Sequence, residues 1–217
     1  MTKSALIVAG GNGTRMKSDI PKQFLMLKNK PILMYSIEKF VQFDNIILVL
    51  PEGQNDYWQE LCLNYNFNIN HDVVTGGKNR FQSVKKGLSY IGENSIVAIH
   101  DGVRPLISEK QINSLISKVK KGIGVIPVVP VIDSIRKLEG KNISANIDRS
   151  NLYKVQTPQC FLSSDIKRAY SQGYSRVFTD DSTVFESIGG KISTIMGEEE
   201  NLKITTKKDI KIASLFI

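Results

Sequence analysis

Glycines and two basic side chains crowd the start of the chain. Gly10-Gly11-Asn12-Gly13-Thr14-Arg15-Met16 follows the apolar run Ala5-Leu6-Ile7-Val8-Ala9, and Pro21-Lys22-Gln23 comes soon after. Glycine turns with φ > 0 and lets backbone N–H groups approach a bound anion, because no Cβ stands in the way. Arg15 and Lys22 add positive charge where a transferring phosphoryl group becomes more negative. The loop therefore reads as phosphate-handling and catalytic. A dinucleotide fingerprint needs a third glycine where Met16 stands, and a Walker A loop needs its lysine directly after the last glycine, where Thr14 stands. Both of those readings weaken; a glycine-rich turn that holds no ligand is the alternative for the loop alone.

Two further places carry candidate chemistry. Gly76-Gly77-Lys78-Asn79-Arg80 opens a helix whose Phe81, Val84, Leu88 and Ile91 share a face, leaving Arg80 and Ser83 near free N–H groups that suit an anion or a base. The apolar stretch Ile96 to His100 reads as a buried strand with Asp101 at its C-terminal end and Arg104 just beyond, the end at which open α/β sheets bind ligands. His71 and His100 are the only histidines, and no Ser-His or Cys-His constellation is legible, so His100 reads as a packing or orienting residue rather than a base. Cys62 and Cys160 have no metal or redox spacing and read as idle thiols of a reducing compartment.

The elements that must position these residues alternate. Apolar spacing predicts a helix over 31–43, a strand over 46–50, a helix carrying Tyr57, Trp58, Leu61, Cys62 and Tyr65, a strand over 73–75, the glycine-led helix, the strand ending at Asp101, a helix over 108–121 and a strand over 125–128. Such alternation predicts an α/β protein with a doubly wound, mostly parallel sheet. With 217 residues the chain is read as a single domain spanning 1–217. The alternation breaks between Asp133 and Gln156, where 135–138, 143–147 and 152–156 read as hairpin strands with no helix to cover them. This protruding β-hairpin arm, 133–156, is expected to pair with the same arm of a second subunit; folding back onto its own domain is the alternative. Beyond it lie a helix from Ser163, a turn at Phe178–Asp181 opening another helix, strands 192–196 and 202–204, and a terminal helix.

Charge bounds the partners without choosing among them. Lys and Arg number 29 against 21 Asp and Glu, a net charge of +8 that suits anions from nucleotides to nucleic acid. The basic cluster of Lys203, Lys207, Lys208 and Lys211 reads by itself as a solvated helix end. No aromatic-interleaved basic motif favours nucleic acid. The apolar stretch over 125–132, broken by Pro127 and Pro130, is far short of the about 20 residues of a membrane helix. The N-terminal run stops at Gly10 with no cleavage pattern. The expectation is a cytoplasmic protein with no membrane partner.

The first loop resembles the signature of sugar- and polyol-phosphate nucleotidyltransferases. Together with Gly76 to Val84, His100-Asp101-Gly102-Val103-Arg104-Pro105, Asp148-Arg149, Gln156-Thr157-Pro158-Gln159, Thr179-Asp180-Asp181 and Asn201-Leu202-Lys203-Ile204-Thr205, it stands in the order seen in the 2-C-methyl-D-erythritol 4-phosphate cytidylyltransferase family, over nearly the whole chain. The resemblance implies a Rossmann-like nucleotidyltransferase fold and condensation of CTP with methylerythritol phosphate, releasing pyrophosphate. It implies Arg15, Lys22 and Lys203 as the catalytic cations. Ala9, Gly10, Gly11, Gly13, Gly77, Arg80, Ser83 and Asp101 would bind the nucleotide, and Asp101, Arg104, Ser134, Arg149, Thr157 and Thr179 the polyol phosphate. Asp101 would hold Mg²⁺ or another divalent cation, and Arg149 and Thr157 would reach into the neighbouring subunit's site in a homodimer. Lys78, Gly102-Val103 and Lys207-Lys208 depart from the family pattern and touch base recognition and tail geometry. A relative acting on ribitol 5-phosphate is the alternative, and a non-catalytic nucleotide- or nucleic-acid-binding protein a second. Asp148-Arg149 and Thr179-Asp180-Asp181 look more like the methylerythritol enzyme.

Overall fold

The computed structural model of the chain describes residues 1–9 and 20–217. Strand β1 (Thr2–Val8) leads towards the glycine loop, and the chain resumes through a single 3-10 turn at Lys22–Phe24 and a small ladder of β2 (Met26–Leu27) with β3 (Lys30–Pro31). There follow α1 (Ile32–Glu38), β4 (Asn45–Leu50), α2 (Asn55–Asn64), β5 (Asp72–Thr75), α3 (Arg80–Leu88), β6 (Ser95–Asp101), α4 (Glu109–Ser117) and β7 (Ile123–Pro130). The second half contains β8 (Ile135–Leu138), β9 (Ser144–Ile147), β10 (Tyr153–Val155), β11 (Gln159–Leu162), α5 (Ser163–Tyr170), α6 (Asp181–Glu186), β12 (Lys191–Met196) and α7 (Lys207–Ala213).

β1 is the centre of the sheet. It pairs in parallel with β4 on one side and β6 on the other, and β4 pairs in parallel with β5. Chain order thus runs outward to β5 and then jumps back across to β6, so the sheet reverses direction of winding at the β1/β6 border. Ala5, Leu6 and Ile7 are buried on both faces, which is why β1 reads as an unbroken apolar run. Successive side chains alternate between two cores. Ala5, Ile7, Leu48 and Leu50 pack with Met34 and Ile37 of α1, Trp58 of α2 and Leu115 of α4. Leu6, Val8, Ile47 and Val49 pack with Val84 of α3, Ile166 of α5 and Phe185 of α6. α3 lies so close to β1 that a Cβ on Gly87 would stand 2.3 Å from Leu6 Cδ1.

The mostly parallel, doubly wound α/β sheet agrees with the sequence reading, with four local corrections. The helix read over 31–43 ends at Glu38 and continues to Phe43 as tight turns, Phe40 and Phe43 donating to carbonyls three residues back. The helix read over 108–121 stops at Ser117, ahead of Gly122 with its φ of +73°. Leu152–Gln156 is not part of the arm: β10 joins the main sheet antiparallel to β7, and only β8 and β9 form the separate hairpin. The segment 202–204 is not a strand; Ile204 donates a single backbone bond to the Val103 carbonyl.

β11 was unanticipated and is antiparallel, lodged between β6 and β7. Val128 of β7 faces Val155 and also Met196, and Val125 faces Cys160 and also Ser193. β10 and β11 therefore share one edge of β7 while β12 holds the other in parallel. The interruption between them, Gln156-Thr157-Pro158, contains a cis Thr157–Pro158 peptide and sits beside the end of β6. Among the described residues no helix is long and apolar enough to cross a membrane.

Candidate active site

The β1/β6 border is the switch point at which doubly wound sheets open a crevice beyond their strand ends. Ala9 and Asp101 stand at those two ends. Asp101 is buried and meets three cations: Lys203 Nζ lies 2.9 Å from Oδ2, Arg104 Nε 3.4 Å from Oδ2 and Arg80 Nε 3.9 Å from Oδ1. Burial alone would push this carboxyl up, but Lys203, Arg80 and Arg104 outweigh it and hold Asp101 ionised well below the usual carboxylate range.

Each cation has its own support. Arg80 is the first residue of α3, whose N-cap Asn79 accepts the Gln82 N–H through its side chain. Ahead of it, Gly77 N–H donates to Ser83 Oγ at 3.0 Å, and Ser83 in turn donates to the Asn79 carbonyl at 2.9 Å. A Cβ on Gly77 would stand 2.3 Å from Gln82 Cβ, so only glycine fits this turn. The Arg80 guanidinium is held by Asp181 through two bonds of 2.8 and 2.5 Å, and Tyr170 donates its hydroxyl to the same carboxylate at 2.6 Å. Burial works against the charge on Arg80, yet Asp181 and then Asp101 more than compensate and raise its pKa. Arg104 donates from Nη1 to the Asn201 carbonyl at 2.7 Å. The segment carrying Lys203 is pinned on both sides, by Asn201 Nδ2 donating to the Thr157 carbonyl at 2.9 Å and by Ile204 N–H on Val103.

The cleft has two halves joined at Asp101, Arg80 and Lys203. One half is lined by Ala9, Lys22, Gln23 and Val103 with these three. The other is lined by Arg104, Gln156, Thr157, Thr179 and Asp180 with the same three. Gln23 is fully buried, and among the described residues neither its Oε1 nor its Nε2 has a hydrogen-bond partner.

The structure thus brings Ala9, Lys22, Arg80, Asp101, Arg104, Thr157, Thr179 and Lys203 together. Gly10, Gly11, Gly13 and Arg15 lie outside the described residues. Gly77 and Ser83 shape the turn before Arg80 and do not line either half of the cleft. Ser134 and Arg149 are exposed, at the two ends of the β8–β9 hairpin, and line neither half within one chain. Sequence reasoning gave no role to Asp181, Tyr170, Asn201 or Gln23. The partners of Asp181 and Asn201 lie far away in the chain, Arg80 and Asp181 being 101 positions apart, so spacing carried no signal for them, and Tyr170 joins them only through Asp181.

A doubly wound sheet with a cation-ringed carboxylate at its switch point is suited to a phosphorylated ligand, and the comparisons give the class, a nucleotidyltransferase. The family model of 2-C-methyl-D-erythritol 4-phosphate cytidylyltransferase matches residues 4–217. A relative of that name from Azobacteroides pseudotrichonymphae is 50% identical over 99% of this chain and 98% of its own. Another from Phocaeicola vulgatus is 44% identical over the full length of both. The crystal structure of 2-C-methyl-D-erythritol 4-phosphate cytidylyltransferase from Francisella tularensis superposes with a TM-score of 0.83 at 29% identity, covering all of both chains. The chain belongs to the 2-C-methyl-D-erythritol 4-phosphate cytidylyltransferase family.

Proposed function

We propose that the protein transfers CMP from CTP to 2-C-methyl-D-erythritol 4-phosphate in the cytoplasm, within isoprenoid precursor synthesis. The observation that carries the reading is the cleft at the β1/β6 border, where Lys203, Arg80 and Arg104 gather around Asp101 and Lys22 lines the adjoining wall. The nucleophile is a phosphate monoester oxygen whose second pKa is about 6, so it arrives ionised and needs no general base. It attacks the α-phosphorus of CTP; the new P–O bond forms as the α–β bridging bond breaks, and pyrophosphate leaves with the electron pair. Charge builds on the α-phosphoryl oxygens and on the leaving group. Lys22 and Lys203, with Arg15 from the glycine loop, supply preorganised cations there.

The half of the cleft with Ala9, Lys22, Gln23 and Arg80 is assigned to the nucleotide, with Gly10, Gly11 and Gly13 of the loop, while Gly77 and Ser83 act through the turn that sets Arg80. The half with Arg104, Thr157 and Thr179 is assigned to the polyol phosphate. Asp101, between them, is the ionised hard oxygen donor that would hold Mg²⁺ together with substrate phosphates. Mg²⁺ is commonly held by one or two carboxylates plus water and substrate phosphates, and when bound it offsets phosphate charge.

Arg149, with Ser134 at the other end of the hairpin, is assigned to the site of a second subunit, whereas Thr157, expected to reach across with Arg149, lines the cleft of its own chain. Support for a dimer comes from the exposed apolar residues Ile132, Leu138, Ile143, Leu152, Tyr153 and Val155, which all fall on or beside the β8–β9 hairpin and β10. Purified protein mixed with CTP, Mg²⁺ and methylerythritol phosphate should release pyrophosphate; release with ribitol 5-phosphate instead would move the protein to the other polyol, and release with neither would refute the assignment.

A further inference from the structure

His100 is fully buried one residue before Asp101, and both of its ring nitrogens are engaged. Nε2 lies 3.0 Å from the Arg104 carbonyl oxygen, which can only accept, so Nε2 carries the proton. Nδ1 lies 3.2 Å from Thr157 Oγ1. The Asp101 backbone N–H donates to that same Oγ1 at 3.0 Å, so the Thr157 hydroxyl is free to donate onward to the bare Nδ1. The directions close into one chain: Asp101 N–H to Thr157, Thr157 O–H to His100, His100 Nε2–H to the Arg104 carbonyl. No other donor or acceptor is left over on the ring, and Phe40 packs 5.1 Å from it.

The three residues joined through this ring all line the polyol-phosphate half of the cleft. They come from different parts of the fold: the end of β6, the tight turn in which Arg104 N–H bonds Asp101 O, and the break between β10 and β11. The imidazole is a second link between the Thr157 hydroxyl and the Arg104 backbone, beside the one through Asp101, and it is the one that fixes the Arg104 carbonyl. We propose that His100 is a positioning residue, a neutral Nε2–H imidazole that sets Thr157 and Arg104 at the correct separation for the acceptor phosphate while touching no reacting atom.

The proposal rests on the functional reading above, and its test has one arm that does not. Long-range ¹H–¹⁵N NMR of the two histidine rings should show opposite tautomers. In His100 the proton sits on Nε2. In His71, Nδ1 faces the Ile69 carbonyl at 2.7 Å and Nε2 accepts from Trp58 Nε1 at 2.9 Å, so the proton sits on Nδ1. An Nδ1-protonated or doubly protonated His100 at neutral pH overturns the hydrogen-bond chain whatever the enzyme's substrate proves to be.

The second arm is kinetic. His100→Asn offers a carboxamide oxygen near the place of Nδ1, His100→Gln an amide N–H towards the place of Nε2, and His100→Leu neither. His100→Leu should raise the KM for methylerythritol phosphate about tenfold or more and that for CTP by less than about threefold. His100→Asn should recover part of the loss, and combining His100→Leu with Thr157→Val should cost scarcely more than the worse single change, because both break one chain. Equal effects on the two KM values, or full additivity of the pair, would reduce His100 to a packing residue. If wild-type protein fails to turn over methylerythritol phosphate, the function falls while the tautomer result still decides the hydrogen-bond chain.

Discussion

Asp181→Asn tests how the site holds its most elaborate cation. The Asp181 side chain is completely buried and takes two bonds from Arg80 and one from Tyr170. Asparagine keeps one acceptor oxygen but turns an N–H₂ group towards the guanidinium and removes the charge. Breaking a buried ion pair by losing one partner costs about 3–5 kcal/mol. The Arg80 side chain remains 29% exposed, so water recovers part of its solvation, and Asp101 Oδ1 at 3.9 Å offers only a weaker substitute. The expected loss is therefore about 2–3 kcal/mol, equivalent in a chain of this size to a fall in Tm of about 5–10 °C. Urea unfolding of wild type, Asp181→Asn and Tyr170→Phe would measure it. Tyr170→Phe leaves the pair intact and should cost less, about 1–2 kcal/mol. With Asp181 neutralised, Arg80 is drawn onto Asp101 and CTP turnover should fall as well. A change in stability below about 0.5 kcal/mol, the range of an ordinary surface pair, would show that Asp181 is not what fixes Arg80.

Other perturbations follow from the same geometry. Burial lowers the pKa of His100 to about 4, whereas the unfolded chain takes up the proton near 6.5; stability should fall as pH drops from about 6.5 to about 4, by about 3 kcal/mol, and His100→Asn should abolish that slope. Asp101, held low, contributes stability that is full above the unfolded carboxylate value near 3.9 and is lost only at more acid pH, so the two windows separate in an acid titration followed by circular dichroism. Arg149→Ala should raise the KM for the polyol phosphate far more than that for CTP, and equal changes would remove it from the acceptor pocket. Gln23→Met replaces a buried amide whose two polar atoms are unpaired among the described residues and should gain about 1–3 kcal/mol in urea unfolding while weakening CTP use; an unchanged CTP KM would show that the amide does not serve the nucleotide.

The sheet was legible because its strands are unbroken apolar runs. Ile46 to Leu50 and Ile96 to His100 announce burial on both faces, and Asp101 announces a strand end by breaking such a run. β11 escaped because Gln159-Cys160-Phe161-Leu162 is short, begins with a polar residue and has no turn signal separating it from α5. The same brevity hid the allegiance of β10: Tyr153-Lys154-Val155 is as exposed as a hairpin strand, and only its register with β7 decides that it belongs to the main sheet. In the site, residues at strand ends and helix starts could be read from local pattern. Asp181, Tyr170 and Asn201 could not, because their meaning lies in a cluster assembled from separate elements, and Gln23 declares itself only as a buried amide without a partner among the described residues. Lys203 is the intermediate case: composition placed it in a solvated tail, family resemblance gave it a role, and its 2.9 Å contact with Asp101 places it in the cleft.

The central claim is a transfer of CMP to one particular acceptor. Pyrophosphate release should be measured with CTP and Mg²⁺ against methylerythritol 4-phosphate and ribitol 5-phosphate in parallel. Release with methylerythritol phosphate, lost in Lys203→Ala, is the expected result; release independent of Lys203, or confined to ribitol phosphate, would contradict the account.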